Sequence, residues 1–194
     1  MKASYFCTLI LFLVSINSAF SQDKLNIGLR IGYNSSNFVG KDIPGKSSRS
    51  LPGIYLGGTV NYPLRNNLSV STGIAVDTKG AKINTISDIN EVMYFLYLDI
   101  PVMLRYSPFS GKPFPVYLSA GHSVDFLIVK GTFLSVLDDV KNLDMAFLIE
   151  GGLAWKKIGF GIRYAHSYLN FDKSENNFKM RNATLSIMAT FNFK

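Results

Sequence analysis

The twelve residues before the final lysine alternate almost without a break. Ala183, Leu185, Ile187, Ala189, Phe191 and Phe193 are apolar, and Asn182, Thr184, Ser186, Met188, Thr190 and Asn192 stand between them. Successive side chains of a strand point to opposite faces, so this segment has one oily face and one wet face. The same pattern opens the chain beyond its leader, where Leu25, Ile27, Leu29, Ile31 and Tyr33 alternate with Asn26, Gly28, Arg30, Gly32 and Asn34. Such alternation suits a half-buried strand of a soluble sandwich as well as the wall of a membrane barrel. Two things favour the barrel: the pattern repeats along the whole chain, and an export leader stands in front of it.

Residues 1–21 read as a signal peptide. Lys2 is the positive start, Tyr5 to Ile16 form a short apolar stretch, and Ala19 and Ser21 occupy the −3 and −1 positions of a cleavage site before Gln22. The stretch falls short of the ~20 residues of a spanning helix. Cys7, the one cysteine, lies within the leader, so residues 22–194 are expected to carry no disulfide or thiol chemistry. Those residues have the size of one domain, the barrel domain. The formal charge is +7, or +6 once Lys2 is set aside. Export argues against nucleic acid as the partner of that charge. Beyond the leader no apolar run is long enough for a membrane helix, so a chain that enters lipid must do so as a closed barrel, where every backbone group is paired.

Eight segments have the ~9–11 residues that a tilted membrane strand needs. They run over Lys24–Ser36, Gly53–Tyr62, Leu68–Lys79, Val92–Tyr106, Val116–Ile128, Asp144–Trp155, Ile158–Tyr168 and the terminal segment. The spacing predicts an all-β, eight-stranded antiparallel up-and-down transmembrane barrel. Its connections alternate in length. Asn37–Pro52, Gly80–Glu91, Val129–Leu143 and Leu169–Met180 are long, whereas Pro63–Asn67, Ser107–Pro115 and Lys156–Lys157 are shorter. Long outer loops and tight periplasmic turns are the habit of outer-membrane barrels. Pro101 removes a ladder donor from the fourth strand, and a local bulge is expected to accommodate it.

The segments YLDIPVMLRY (Tyr97–Tyr106) and PVYLSAGHSVDFLI (Pro115–Ile128) resemble the central hairpin of the PorT-type, porin-like outer-membrane β-barrel family. GLRIGYNSSNF (Gly28–Phe38) resembles that family's first strand, VDTKGAKI (Val76–Ile83) the end of its third, and GGLAWKKIGFGIRYAHSYLNF (Gly151–Phe171) its penultimate hairpin. The resemblance implies an outer-membrane location and a barrel fold. It also implies that Pro101, in the acidic-x-Pro pattern with Asp99, is a family feature. The family's named member belongs to a protein-export apparatus, and no family catalytic motif is present to carry over. Phe193 is followed by Lys194, a departure from the terminal Phe usual in such barrels.

Alternation assigns Arg30, Asp77, Asp99, Arg105, Asp125, Glu150 and Arg163 to the lumen face. Eight strands enclose little more than the volume of their own inward side chains, so these charges are expected to pair as a polar plug. The competing reading is a narrow, porin-like path for ions or small solutes. Tyr33, Tyr62, Tyr94, Tyr106, Trp155, Tyr164, Tyr168 and Phe193 fall on outward faces or near strand ends, where aromatic girdles anchor a barrel in the two interfaces. His122 and His166 also fall on outward faces, near the outer rim by this reading. Their i±2 neighbours are Ala120 and Val124, and Tyr164 and Tyr168, which supply no serine nucleophile. Two histidines without a third ligand make no persuasive metal site. The loops carry Lys41, Lys46, Arg49, Lys82, Lys130, Lys141, Lys173, Lys179 and Arg181, which suit lipid phosphates or an acidic partner, or else are ordinary solvated residues partly cancelled by Asp42, Asp88, Asp138, Asp139, Asp172 and Glu175. Phe133, Leu134, Val136 and Leu137 form an oily loop stretch that is expected to fold over the mouth as a lid, with contact to a partner as the alternative.

The sequence therefore reads as an integral protein of the bacterial outer membrane, exported by its signal peptide, with no cofactor and no catalytic site. Its expected role is structural or interactive, with outer-membrane lipid and an envelope or export-complex protein as partners. A channel, a lipid-modifying enzyme and a soluble lipocalin-like barrel are the rivals.

Overall fold

The computed structural model describes residues 25–40, 47–84, 90–109, 115–132, 140–170 and 180–193. The leader at 1–21 and the oily loop stretch at 133–137 lie outside them. Eight strands follow in order: β1 (Asn26–Gly40), β2 (Ser47–Pro63), β3 (Leu68–Asn84), β4 (Asn90–Tyr106), β5 (Val116–Thr132), β6 (Leu143–Trp155), β7 (Ile158–Ser167) and β8 (Met180–Asn192). Each pairs antiparallel with the next, and β8 closes on β1, so the sheet is a barrel without a free edge. Closure matters in lipid, where an unpaired backbone group would find no water.

The register fixes the barrel's shape. A row of paired residues runs Ile27, Val60, Thr72, Val102, His122, Phe147, His166 and Ala183, and it meets β1 again at Asn37. The row thus returns ten residues above its start, which is the shear of the barrel. With ordinary strand spacings this means a tilt of about 40° and a backbone radius of about 8 Å. Each residue then advances about 2.5 Å along the axis, and each strand crossed along a row adds about 3 Å.

The short connections share the end where the termini meet. Phe193 N donates to Ile27 O at 2.8 Å. The β2–β3 turn is made by Asn66 and Asn67, with φ of 57° and 64°, and the β6–β7 turn by Lys156, with φ of 53°, and Lys157. Asparagine tolerates this left-handed backbone better than most residues.

Two expectations need correction. The outer connections are shorter than the alternation suggested, because β1 runs on to Gly40, β2 begins at Ser47, and β3 and β5 reach Asn84 and Thr132. The wall continues because its inward residues there are apolar and buried: Phe38, Leu51, Ile83, Met93 and Phe95. An irregularity between Ser50 and Tyr55 bends β2, and Gly80 opposite adopts φ of 153° where a Cβ would meet Met93 O at 2.1 Å. Nor does Pro101 make a bulge. Thr72↔Val102 and Ala75↔Asp99 keep one register across it, and the ladder merely lapses at Gly73 and Ile74. The Thr72 hydroxyl donates to Pro101 O at 2.8 Å. The register shift in β4 lies instead between Leu96 and Tyr97, where β5 carries the extra Ile128.

Apolar residues turn outward on every strand. Ile27, Leu29, Ile31, Ile74, Leu104, Leu118, Ile149, Phe160, Ile162, Leu185 and Ile187 are all exposed. In water this belt would exceed by far the few hundred Å² of apolar patch that a soluble monomer shows. Lipid removes the penalty. An arginine at Ile31, about halfway up the belt, is therefore expected to cost about 2–4 kcal/mol, and the same change at Ile27, near its lower edge, about 0–1 kcal/mol. Reversible denaturant unfolding in lipid vesicles measures both.

Candidate functional site

The lumen is filled in three tiers. The lowest gathers on Glu150 of β6, which is 1% exposed. Arg30 Nη1 donates to Glu150 Oε2 at 3.0 Å, and Arg163 Nε donates to the same oxygen at 3.0 Å. Arg105 Nη2 and the Tyr117 hydroxyl donate to Oε1 at 3.4 and 3.0 Å. One carboxylate thus ties β1, β4, β5 and β7 to β6 across the barrel. The guanidinium of Arg105 also lies 4.0 Å from the Tyr117 ring centre, and that of Arg163 lies 4.9 Å from the ring of Tyr55. Planar cations of this kind both stack on rings and fork onto carboxylates, which suits them to a confined site.

Tyr117 needs space to reach Glu150. A Cβ on Gly152 or on Gly161 would lie 2.5 Å from its hydroxyl, so these two glycines form the slot that the ring occupies.

The middle tier is acidic. Arg163 Nη1 reaches up to Asp99 Oδ2 at 3.6 Å. Lys79 Nζ pairs with Asp125 Oδ2 at 2.7 Å and with Asp77 Oδ2 at 3.6 Å, and it sits 5.2 Å from the Tyr97 ring centre. Asn34 donates to Asp77, and Ser123 to Asp125. Asp144 accepts from Ser167 at 2.6 Å and from Asn182 at 3.1 Å. Above this tier Phe38, Ala81, Ile83, Met93, Phe95, Tyr97, Val140 and Met180 pack as one buried apolar cluster that covers the charges from the outer side.

All seven charges expected in the lumen therefore face it, and all but Arg105 are almost wholly buried. Lys79, Asp144, Tyr117, Tyr55, Asn34 and Asn182 join them without having been singled out. Lys79 stands two residues from Asp77, and Asp144 six from Glu150, so each shares the face of a charge that alternation assigns inward. Their partners depend on the shear, which no single strand reveals.

The outer wall separates the aromatics by level. Tyr62, Tyr106, Trp155 and Phe193 lie within about 4 Å of one height near the short turns, and Tyr168 lies about 25 Å above them. That separation matches the apolar height of an outer-membrane barrel. Tyr94 stands higher still, while Tyr33 and Tyr164 lie about two-thirds of the way up. His122 lies about 15 Å above the lower ring and His166 about 20 Å, so His122 is well inside the belt rather than at its rim. The shear, invisible in any one strand, sets this depth. His122 meets the Phe147 and Tyr168 rings edge-on at 5.6 and 6.1 Å, and His166 Nδ1 is 3.3 Å from the Tyr164 hydroxyl. Among the described residues no cluster of three or more His, Cys, Asp or Glu is arranged to hold a metal ion.

The profile of the outer membrane protein beta-barrel domain matches residues 20–167. The chain belongs to that family. Its location is accordingly the bacterial outer membrane. Among solved structures, the chain is similar to the neisserial surface protein A, with a TM-score of 0.51 at 16% identity over 86% of this chain and 97% of that one. It is also similar to OprG from Pseudomonas aeruginosa, with a TM-score of 0.53 at 13% identity over 87% and 95% of the two chains. These likenesses concern the fold. No curated protein matches the chain in sequence.

For this family member the Glu150 cluster is the energetic centre of the lumen. Removing the carboxylate leaves the guanidinium groups of Arg30, Arg105 and Arg163 crowded in a buried space. Glu150→Ala is expected to cost about 3–5 kcal/mol, in the range found for a broken buried ion pair. Lys157→Gln, in the exposed turn, is expected to stay within about 0.5 kcal/mol of the parent. Denaturant midpoints in vesicles compare the two.

Proposed function

We propose that the protein is a rigid, non-conducting scaffold of the outer membrane whose outer connections make its contacts, as an accessory to protein export or envelope assembly. The observation that carries this reading is the Glu150 cluster. Its hydrogen bonds come from four other strands, and the acidic tier and the apolar cluster stand above it. A space about 8 Å in backbone radius is largely taken up by these inward side chains, which supports a lumen without a continuous column of water for an ion to follow. The signal peptide at 1–21 delivers the chain across the inner membrane in this reading. Tyr62, Tyr106, Trp155 and Phe193 anchor the lower interface, with Tyr168 at the upper one.

The reading includes no catalysis. Among the described residues, the contacts of His122 and His166 are aromatic rings and a phenol, with no carboxylate among them to orient an imidazole as a base. Replacing both histidines by alanine is expected to leave the mass spectrum of envelope lipids as it is in cells with the parent protein. A lipid species that appears or vanishes with the substitutions would return the enzyme rival.

Planar-bilayer recording of the purified protein tests the scaffold itself. The parent protein is expected to give a flat baseline. Steady, discrete conductance steps that depend on the protein would establish the narrow channel instead.

A further inference from the structure

Every described carboxylate side chain of this barrel points inward: Asp77, Asp99, Asp125, Asp144 and Glu150 are all buried in the lumen. The outer wall nevertheless carries cations. Arg49 on β2 and Lys82 on β3 stand directly opposite each other in the ladder, and Arg181 on β8 pairs in register with Val39 of β1, the strand between β8 and β2. Three positive residues thus share one side of the barrel across four consecutive strands. Among the described residues, none of the three has an ion-pair partner.

Like charges directly opposite each other in a sheet cost stability. An anion between them reverses that cost, and here no described part of the chain supplies one. Height narrows its source. By the register, Arg181, Arg49 and Lys82 lie about 29–34 Å above the lower aromatic ring, just past the upper edge of an apolar belt about 25 Å tall. That is the headgroup layer of the outer leaflet. Tyr168, just past the end of β7 and about level with the belt's upper edge, places a phenol near the same border. The inward-facing groups at this height belong to the buried apolar cluster of Phe38, Ile83, Met93 and Phe95, so the cations cannot be neutralised through the wall.

We infer that Arg49, Lys82 and Arg181 form a site for the phosphate groups of an anionic outer-leaflet lipid. Arg49 and Lys82 hold one phosphate between them, and Arg181 reaches the same or a neighbouring headgroup. The site gives the barrel a preferred side toward a phosphorylated lipid, and with it a fixed depth in the leaflet. It is independent of the plugged lumen, because its residues share no hydrogen bond with the Glu150 cluster.

The test uses the full-length protein in phosphatidylcholine vesicles that contain bis-phosphorylated lipid A. Native mass spectrometry after release counts the lipid A molecules retained. The parent protein is expected to retain lipid A, and the triple variant Arg49→Gln, Lys82→Gln, Arg181→Gln to need about tenfold more for equal retention, equivalent to about 1.4 kcal/mol. Lipid A stripped of its phosphates is expected not to be retained, and inorganic phosphate not to compete. Two further variants guard against a folding defect: Arg49→Lys with Arg181→Lys keeps the charges and is expected to retain lipid A, and Lys156→Gln with Lys157→Gln, in the opposite turn, is expected to match the parent. Equal retention by the parent and the triple variant would overturn the site. So would equal loss in the Lys156/Lys157 control, retention of the phosphate-free lipid, or displacement by inorganic phosphate.

Discussion

A charge inside an eight-stranded barrel has nowhere to find water, and this confinement governs the rest of the structure. The shear of ten residues leaves a backbone radius of about 8 Å, which inward side chains fill. An arginine in such a space needs a carboxylate or a ring beside it: Arg30, Arg105 and Arg163 each donate to Glu150, and Arg105 and Arg163 also lie over the Tyr117 and Tyr55 rings. Gly152 and Gly161 lack side chains where Tyr117 needs their room. The identity of several residues on β1, β4, β5, β6 and β7 thus follows from one carboxylate.

The exterior obeys the opposite rule. Lipid accepts the oily belt that water would not, and closure of β8 on β1 leaves no edge to pair with another chain. Above the belt the wall continues past the membrane with its polarity exchanged: Phe38, Ile83, Met93 and Phe95 are turned in, while Arg49, Lys82 and Arg181 stand on the outer side. The acidic tier beneath is thereby covered on its outer side, and the oily belt gives way to cations above its upper edge.

Much of this was legible along single strands. Period-two alternation assigned Arg30, Asp99, Glu150 and Arg163 inward and Leu29, Ile187 and Phe191 outward, because one face of each strand meets only lipid. The strand ends were not legible. Above the belt Ser35, Asn37 and Lys82 replace the outward apolar residues, so the alternation fades although β1 and β3 continue. Pro101 misled for a different reason: its missing donor faces Gly73, where the ladder lapses without any change of register. Pairings across the lumen, such as Lys79 with Asp125, and the depth of His122 depend on shear, a property of all eight strands together.

Labelling successive positions along β1, from residue 27 to residue 34, shows which face of the wall meets lipid and which meets the packed lumen. Nitroxides placed there one at a time report collision with oxygen, which concentrates in lipid, and with a water-soluble nickel chelate. Residues 27, 29, 31 and 33 are expected to be open to oxygen, and residues 28, 30, 32 and 34 to be closed to both reagents. Nickel collisions at the even positions would mean a water-filled lumen, and oxygen access at the even positions with nickel access at the odd ones would mean a barrel built inside out.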